Sequence, residues 1–205
     1  TQIEVDPKDP AFKNPTKPIG PFYARQEAQQ LRQESGWSFM RDGEQYRRVV
    51  PSPQPKRIFE MDVVELLVEH GVVTICAGGG GIPTIVTEEG RLAGVEAVID
   101  KDLASALLAR QLKAQAFLLL TDVDGVYANW DQPQARRFRR IQPDELRRLP
   151  FAAGSMGPKV EAACNFVEAT GGTAGIGALK DASNVLAGNA GTLIAKTAAK
   201  TEYWN

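Results

Sequence analysis

Histidine is almost missing from this sequence: among 205 residues there is only His70. Ser-His-Asp and Cys-His catalysis therefore have one possible base. Its place just before Gly71, at an expected helix end, suits a contact with the helix dipole better than proton transfer. Cysteine is nearly as scarce. Cys76 and Cys164 lie far apart with no CxxC spacing, and both read as small core residues of a reducing compartment, with the cytoplasm as the expected location. No apolar run is long enough to span a bilayer, and the polar start Thr1-Gln2-Ile3-Glu4 is not a signal peptide. Charge of either sign is not in excess: 24 Lys and Arg stand against 25 Asp and Glu, a net charge of -1. That balance leaves no footprint for nucleic acid or an anionic membrane surface. No cluster of metal-ligating residues stands out, so no metal held by the protein itself is expected.

What is present is an ordinary globular composition, 43% hydrophobic and 24% charged, arranged in two unlike regions. Residues 1–52 hold Val5-Asp6-Pro7-Lys8-Asp9-Pro10 and Lys13-Asn14-Pro15-Thr16-Lys17-Pro18-Ile19-Gly20-Pro21, too proline-rich for a helix or a central strand. A short helix is expected over Gln26–Glu34, stopped by Gly36. Trp37–Met40 and Gln45–Val50 flank an Asp42-Gly43 hairpin signal. This region reads as a small subdomain beside a core of residues 53–205.

The core alternates. Helices are expected at Met61–Glu69, Leu103–Leu112, Pro143–Leu149, Lys159–Ala169 and Ala182–Leu186, the last capped by Asp181. Strands are expected at Val72–Ala77, Val95–Ile99, Ala116–Leu120 and Ala174–Leu179, with Gly191–Ala195 as the last. This order predicts an α/β fold with an open, mainly parallel sheet flanked by helices and a small protruding subdomain. Ligands of such sheets bind beyond the carboxyl ends of the strands, where the notable loops begin.

Gly78, Gly79, Gly80 and Gly81 leave an apolar stretch with no Lys-Ser or Lys-Thr behind them, so they are not a P-loop. Bare backbone N–H groups there suit an anion, although a tight turn would use the same residues. Asp100-Lys101-Asp102 heads a helix. An Asp there is often only a cap, but a lysine between two carboxylates also suits a phosphate pocket. Gly154-Ser155-Met156-Gly157-Pro158-Lys159 puts a lysine at a helix start, against the dipole, where an anion would offset it. With Thr121-Asp122-Val123-Asp124-Gly125-Val126-Tyr127 at the end of a buried strand, the set suits phosphoryl transfer, which needs positioning and charge neutralisation.

Taken together, NPTKPIGPFY (14–23), CAGGGGIP (76–83), AVIDKDLASALLA (97–109), LLLTDVDGVY (118–127) and GSMGPKV (154–160) resemble carbamate kinase, within the amino-acid kinase superfamily. The resemblance runs through GALKDASNVLAGNAGTLI near the end. It implies a reversible reaction in which ATP and carbamate give ADP and carbamoyl phosphate, working towards ATP in arginine fermentation. It also implies catalytic roles for Lys101 and Lys159 on the phosphoryl group, with Asp102 holding those lysines. Lys17 would act from the protruding, lid-like subdomain. Thr121, Asp122, Tyr127, Met156, Gly157 and Lys159 would line the nucleotide site. Gly78, Gly79, Gly80 and Gly81 would face the carbamate and phosphoryl end. Mg²⁺ would ride on the ATP or ADP phosphates, and the full-length family implies a homodimer.

One departure accompanies the resemblance. The family's opening strand and Gly-Gly-Asn loop have no counterpart here, so the chain reads as the C-terminal part, lacking about a third at the front. Two alternatives follow: a non-catalytic ADP- or ATP-binding fragment, and another member of the superfamily that acts on a carboxylate.

Overall fold

The computed structural model describes every residue except 77, 152 and 153. The chain divides into two compact units, Thr1–Ala104 and Ser105–Asn205.

The first unit holds two sheets. In the four-stranded one, the order is β5 (Pro55–Ile58), β1 (Gln2–Val5), β6 (Ile82–Val86), β7 (Leu92–Gly94). Strands β1 and β6 run parallel; the other pairs are antiparallel. Ile3, Val5 and Ile58 are buried here with Met61 and Val64 of helix α2 (Met61–Glu69). At about 1.5–3 kcal/mol for each fully buried large side chain, this small cluster holds the sheet to its helix. The other sheet has the order β2 (Lys17–Tyr23), β4 (Gln45–Val50), β3 (Ser38–Asp42), with helix α1 (Arg25–Ser35) contributing buried Ala28. The proline-rich segment is thus a strand, but an edge strand. Pro18 needs no donor on its open side, and the register slips between Ile19 and Phe22, where Gly20 and Pro21 stand. Helix α3 (Lys101–Gln111) starts at the close of this unit.

The second unit is built on β8 (Ala116–Thr121), β9 (Tyr127–Ala128), β10 (Arg136–Ile141), β11 (Thr173–Ala178), β12 (Thr192–Ile194) and β13 (Glu202–Tyr203). The order is β13-β10-β12-β11-β8, with β9 paired to β10. Pairs β8–β11 and β10–β12 are parallel and the remainder antiparallel, so the sheet is mixed. Helices α4 (Pro143–Arg147), α5 (Met156–Thr170) and α6 (Ala182–Leu186) pack with it. Phe138, Phe166, Ile176, Ile194 and Val185 are fully buried between them. Arg147 ties α4 to α5 by a two-pronged bond to Glu168, 3.1 and 3.0 Å, and a further bond to Asn165. Cys164 is buried, and burial pushes its thiol up to about 12.

Several expectations are corrected. Val72–Cys76 forms no strand, and Val73 and Ile75 are 93% and 95% exposed; residue 77, the end of that expected strand, lies outside the described residues. An apolar run becomes a strand only where a neighbour takes up its backbone groups, and among the described residues none does. For the same reason Val95–Ile99 is not a strand. Two single bonds hold it, from Val95 N to Pro83 O and from Val98 N to Pro51 O. Cys76 is only partly buried. Asp181 precedes α6 but its side chain caps nothing. Strand β13 follows the expected last strand. Strands β1, β5, β6, β7, β9 and β10 were not expected at all.

Candidate functional site

The expected residues gather into two clusters, one in each unit. In the first, Gly78 and Gly81 have φ of +64° and +79°, a region that side chains rarely adopt. Gly80 has no room for a side chain because the Ile99 backbone lies against it. Three of the four glycines therefore have a reason in the chain's own geometry. Gly79 alone has open space around it and an ordinary φ.

Beyond Ile99, Asp100 caps α3: its Oδ1 accepts from Asp102 N at 2.9 Å and Leu103 N at 3.4 Å. Its Oδ2 accepts from Lys17 Nζ of β2 at 2.8 Å. Burial pushes the Asp100 carboxyl upward, but the Lys17 ammonium and the two N–H groups outweigh it and hold the group below the usual carboxylate range. Lys101 turns outward, 62% exposed, with Nζ 3.4 Å from Asp102. Sequence reasoning placed Lys17, Lys101 and Asp102 at a site, and read Asp100 as a cap or as one of two carboxylates flanking Lys101, without linking it to Lys17. The signal that was available is the buried position of an acid directly after the apolar run Ala97-Val98-Ile99.

In the second unit a cavity of about 330 Å³ is lined by Thr121, Asp122, Tyr127, Trp130, Met156 and Lys159, among others. The end of β8, the loop after it and the start of β9 supply the first three, and the start of α5 the last two. Gly157 sits in the first turn of α5. Thr121 Oγ1 donates to Asp122 at 2.9 Å. That hydroxyl, then the backbone and the nearby Lys159 ammonium, lower the exposed Asp122 carboxyl. Tyr127 donates to Asp124 at 2.8 Å, and Asp124 also pairs with Arg137. Burial, then the Asp124 carboxylate, raises the Tyr127 hydroxyl.

Trp130 was missed. It meets Tyr127 edge-on with ring centroids 5.0 Å apart, forming an apolar wall with a polar edge. An aromatic three residues after Tyr127, in Tyr127-Ala128-Asn129-Trp130, was the available clue. The opposite feature is the α5 N-terminus. Ser155 makes no side-chain cap bond, no acid lies in the first turn, and Lys159 adds a positive charge. The first-turn N–H groups, a dipole end and an ammonium beside one cavity form an anion-seeking corner.

Comparison with known proteins decides the lineage. The sequence pattern of the amino acid kinase family matches residues 13–176. The chain belongs to the amino acid kinase family. It is 53% identical over 204 residues to the carbamate kinase of Haemophilus influenzae, covering all of this chain and 66% of that protein. To the carbamate kinase of Rhizobium meliloti it is 51% identical, over 96% of this chain and 61% of the other. A solved carbamate kinase from Giardia lamblia bound to AMP-PNP superposes with a TM-score of 0.85 at 45% identity, over 95% of this chain and 63% of that one. The chain thus spans somewhat under two thirds of the length of most carbamate kinases it matches. Among the described residues no helix is long and apolar enough to cross a membrane, and no group of three or more His, Cys, Asp or Glu is placed to hold a metal ion.

Proposed function

We propose that this chain is the nucleotide-binding portion of a carbamate kinase, which moves a phosphoryl group reversibly between ATP and carbamate. The observation that carries the reading is the cavity of the second unit, which sets an aromatic wall, Tyr127 and Trp130, against the anion-seeking start of α5. A nucleotide has that polarity, with a flat base at one end and phosphates at the other. The similar carbamate kinase from Giardia lamblia, solved with AMP-PNP bound, supports it.

In this reading Lys159 and the N–H groups at the head of α5 take the phosphates, and Asp122 and Thr121 bind the polar sugar. Lys101, Asp102 and Lys17 act on the phosphoryl group in flight, where charge neutralisation lowers the barrier. Gly78–Gly81 face the carbamate end, with Gly79 the one open to close approach. Mg²⁺ is carried by the nucleotide phosphates. Net flow towards ATP, a cytoplasmic location and a homodimer belong to the same proposal.

The test is to incubate the purified chain with MgADP and carbamoyl phosphate and follow ATP by luminescence, with ADP binding measured by calorimetry. ATP formation establishes the activity for these residues. Binding without ATP reduces the chain to a nucleotide-binding piece, and no binding at all overturns the reading.

A further inference from the structure

We propose that Asp100 is a positioning residue for Lys17, holding that ammonium at the head of α3 beside the glycine loop. The inference rests on the proposed role of Lys17 in phosphoryl transfer. Its structural part can be tested separately.

Lys17 opens an edge strand and is paired there only with Val50, so the sheet does not fix where its long side chain points. Asp100 does. The two are 83 residues apart in sequence, and the Asp100 side chain is 10% exposed while that of Lys17 is 34% exposed. The carboxylate divides its work: one oxygen closes the first turn of α3, and the other takes the ammonium. Its backbone is also anchored, because Ile99 rests against Gly80 and Val98 N bonds Pro51 O at 2.9 Å. Lys17 is therefore tied, through one nearly buried carboxylate, to both the glycine loop and the helix that presents Lys101 and Asp102. An ammonium has three donors. The bond to Asp100 uses one and leaves two for an incoming phosphoryl oxygen, so the pair does not have to break for substrate to bind. The neighbouring Asp102 has the Lys101 ammonium 3.4 Å away.

Asp100→Asn separates the two tasks. Asparagine caps a helix about as well as aspartate, so α3 keeps its start while the charge that holds Lys17 is lost. The measurement is the acetylation rate of each lysine in the 205-residue chain, read by mass spectrometry after brief exposure to acetic anhydride. Lys56, whose partner is Asp6, serves as reference. We expect the Lys17 to Lys56 rate ratio to rise several-fold in Asp100→Asn; an unchanged ratio in the folded variant overturns the proposal. Asp100→Ser, a smaller neutral cap, takes the place of Asp100→Asn if the latter does not fold. Where the chain turns over, Asp100→Asn and Lys17→Ala should each lower kcat by on the order of 10- to 100-fold with ADP affinity unchanged. The double variant should then be no worse than Lys17→Ala alone, whereas multiplying losses overturn the positioning role. A wild-type chain that neither binds ADP nor makes ATP defeats the proposed function and leaves the labelling result to decide on Asp100.

Discussion

A β-carbon on Gly80 would stand 1.8 Å from the carbonyl oxygen of Ile99, well inside any allowed contact. The obstacle is backbone, so no rotamer change relieves it. Gly80→Ala should cost at least ~1–3 kcal/mol, the usual range for overpacking, and should lower the melting temperature measured by circular dichroism. Gly79→Ala, with open space and an ordinary φ, should melt close to the wild type. Equal melting of the two variants would mean the loop is not packed as described.

Lys159 lies at the cavity beside the exposed Asp122, which it helps to keep ionised. If its charge matters most in the transition state, Lys159→Ala should lower kcat by on the order of 10²–10³ while ADP binding weakens much less. Equal losses in kcat and in affinity would make it a nucleotide anchor only.

The pair Lys17–Asp100 gives a signed pH dependence. The folded carboxyl is held below its ordinary range, so its contribution to stability is present at neutral pH and disappears as the pH falls through the carboxylate range. In Lys17→Met burial acts without the ammonium to oppose it. The difference in melting temperature between wild type and Lys17→Met should therefore be largest near pH 6 to 7 and shrink towards pH 3. A difference independent of pH would show that the two groups do not interact in solution.

Val73 and Ile75 offer a test of the corrected strand. On a buried strand a charge at either position would cost several kcal/mol. At 93% and 95% exposure, Val73→Lys and Ile75→Lys should each leave the stability of the 205-residue chain within about 0.5 kcal/mol, measured by urea unfolding. A large destabilisation would mean the segment is covered in solution.

The contrast between α2 and the segment after it shows what was legible in the sequence. Helix bonds are made within the segment, so Met61–Glu69 could be read from its own residues, down to its stop at Gly71. The hairpin around Gly43, α1 and α5 were legible on the same local grounds. A strand needs a neighbour, and the neighbours are far away in sequence. Val72–Cys76 looks like a strand and has none, while Arg136–Ile141, with four arginines in six residues, does not look like one and is paired through most of its length with β9, β12 and β13. The candidate site follows the same division. Loops with unusual local chemistry stood out, whereas Asp100 and Trp130 acquire their meaning from Lys17 and Tyr127, which only folding places beside them.

The two thiols also differ in a way that serves the experimenter. Cys164 is fully buried and its proton is held up to about 12, so thiol reagents near neutral pH will pass it by. Cys76 is partly open and lies two residues before Gly78. A maleimide dye or spin label added to the unaltered chain will therefore report from a single place, the entrance to the glycine loop. Movement there can be followed by fluorescence or electron paramagnetic resonance without engineering a cysteine.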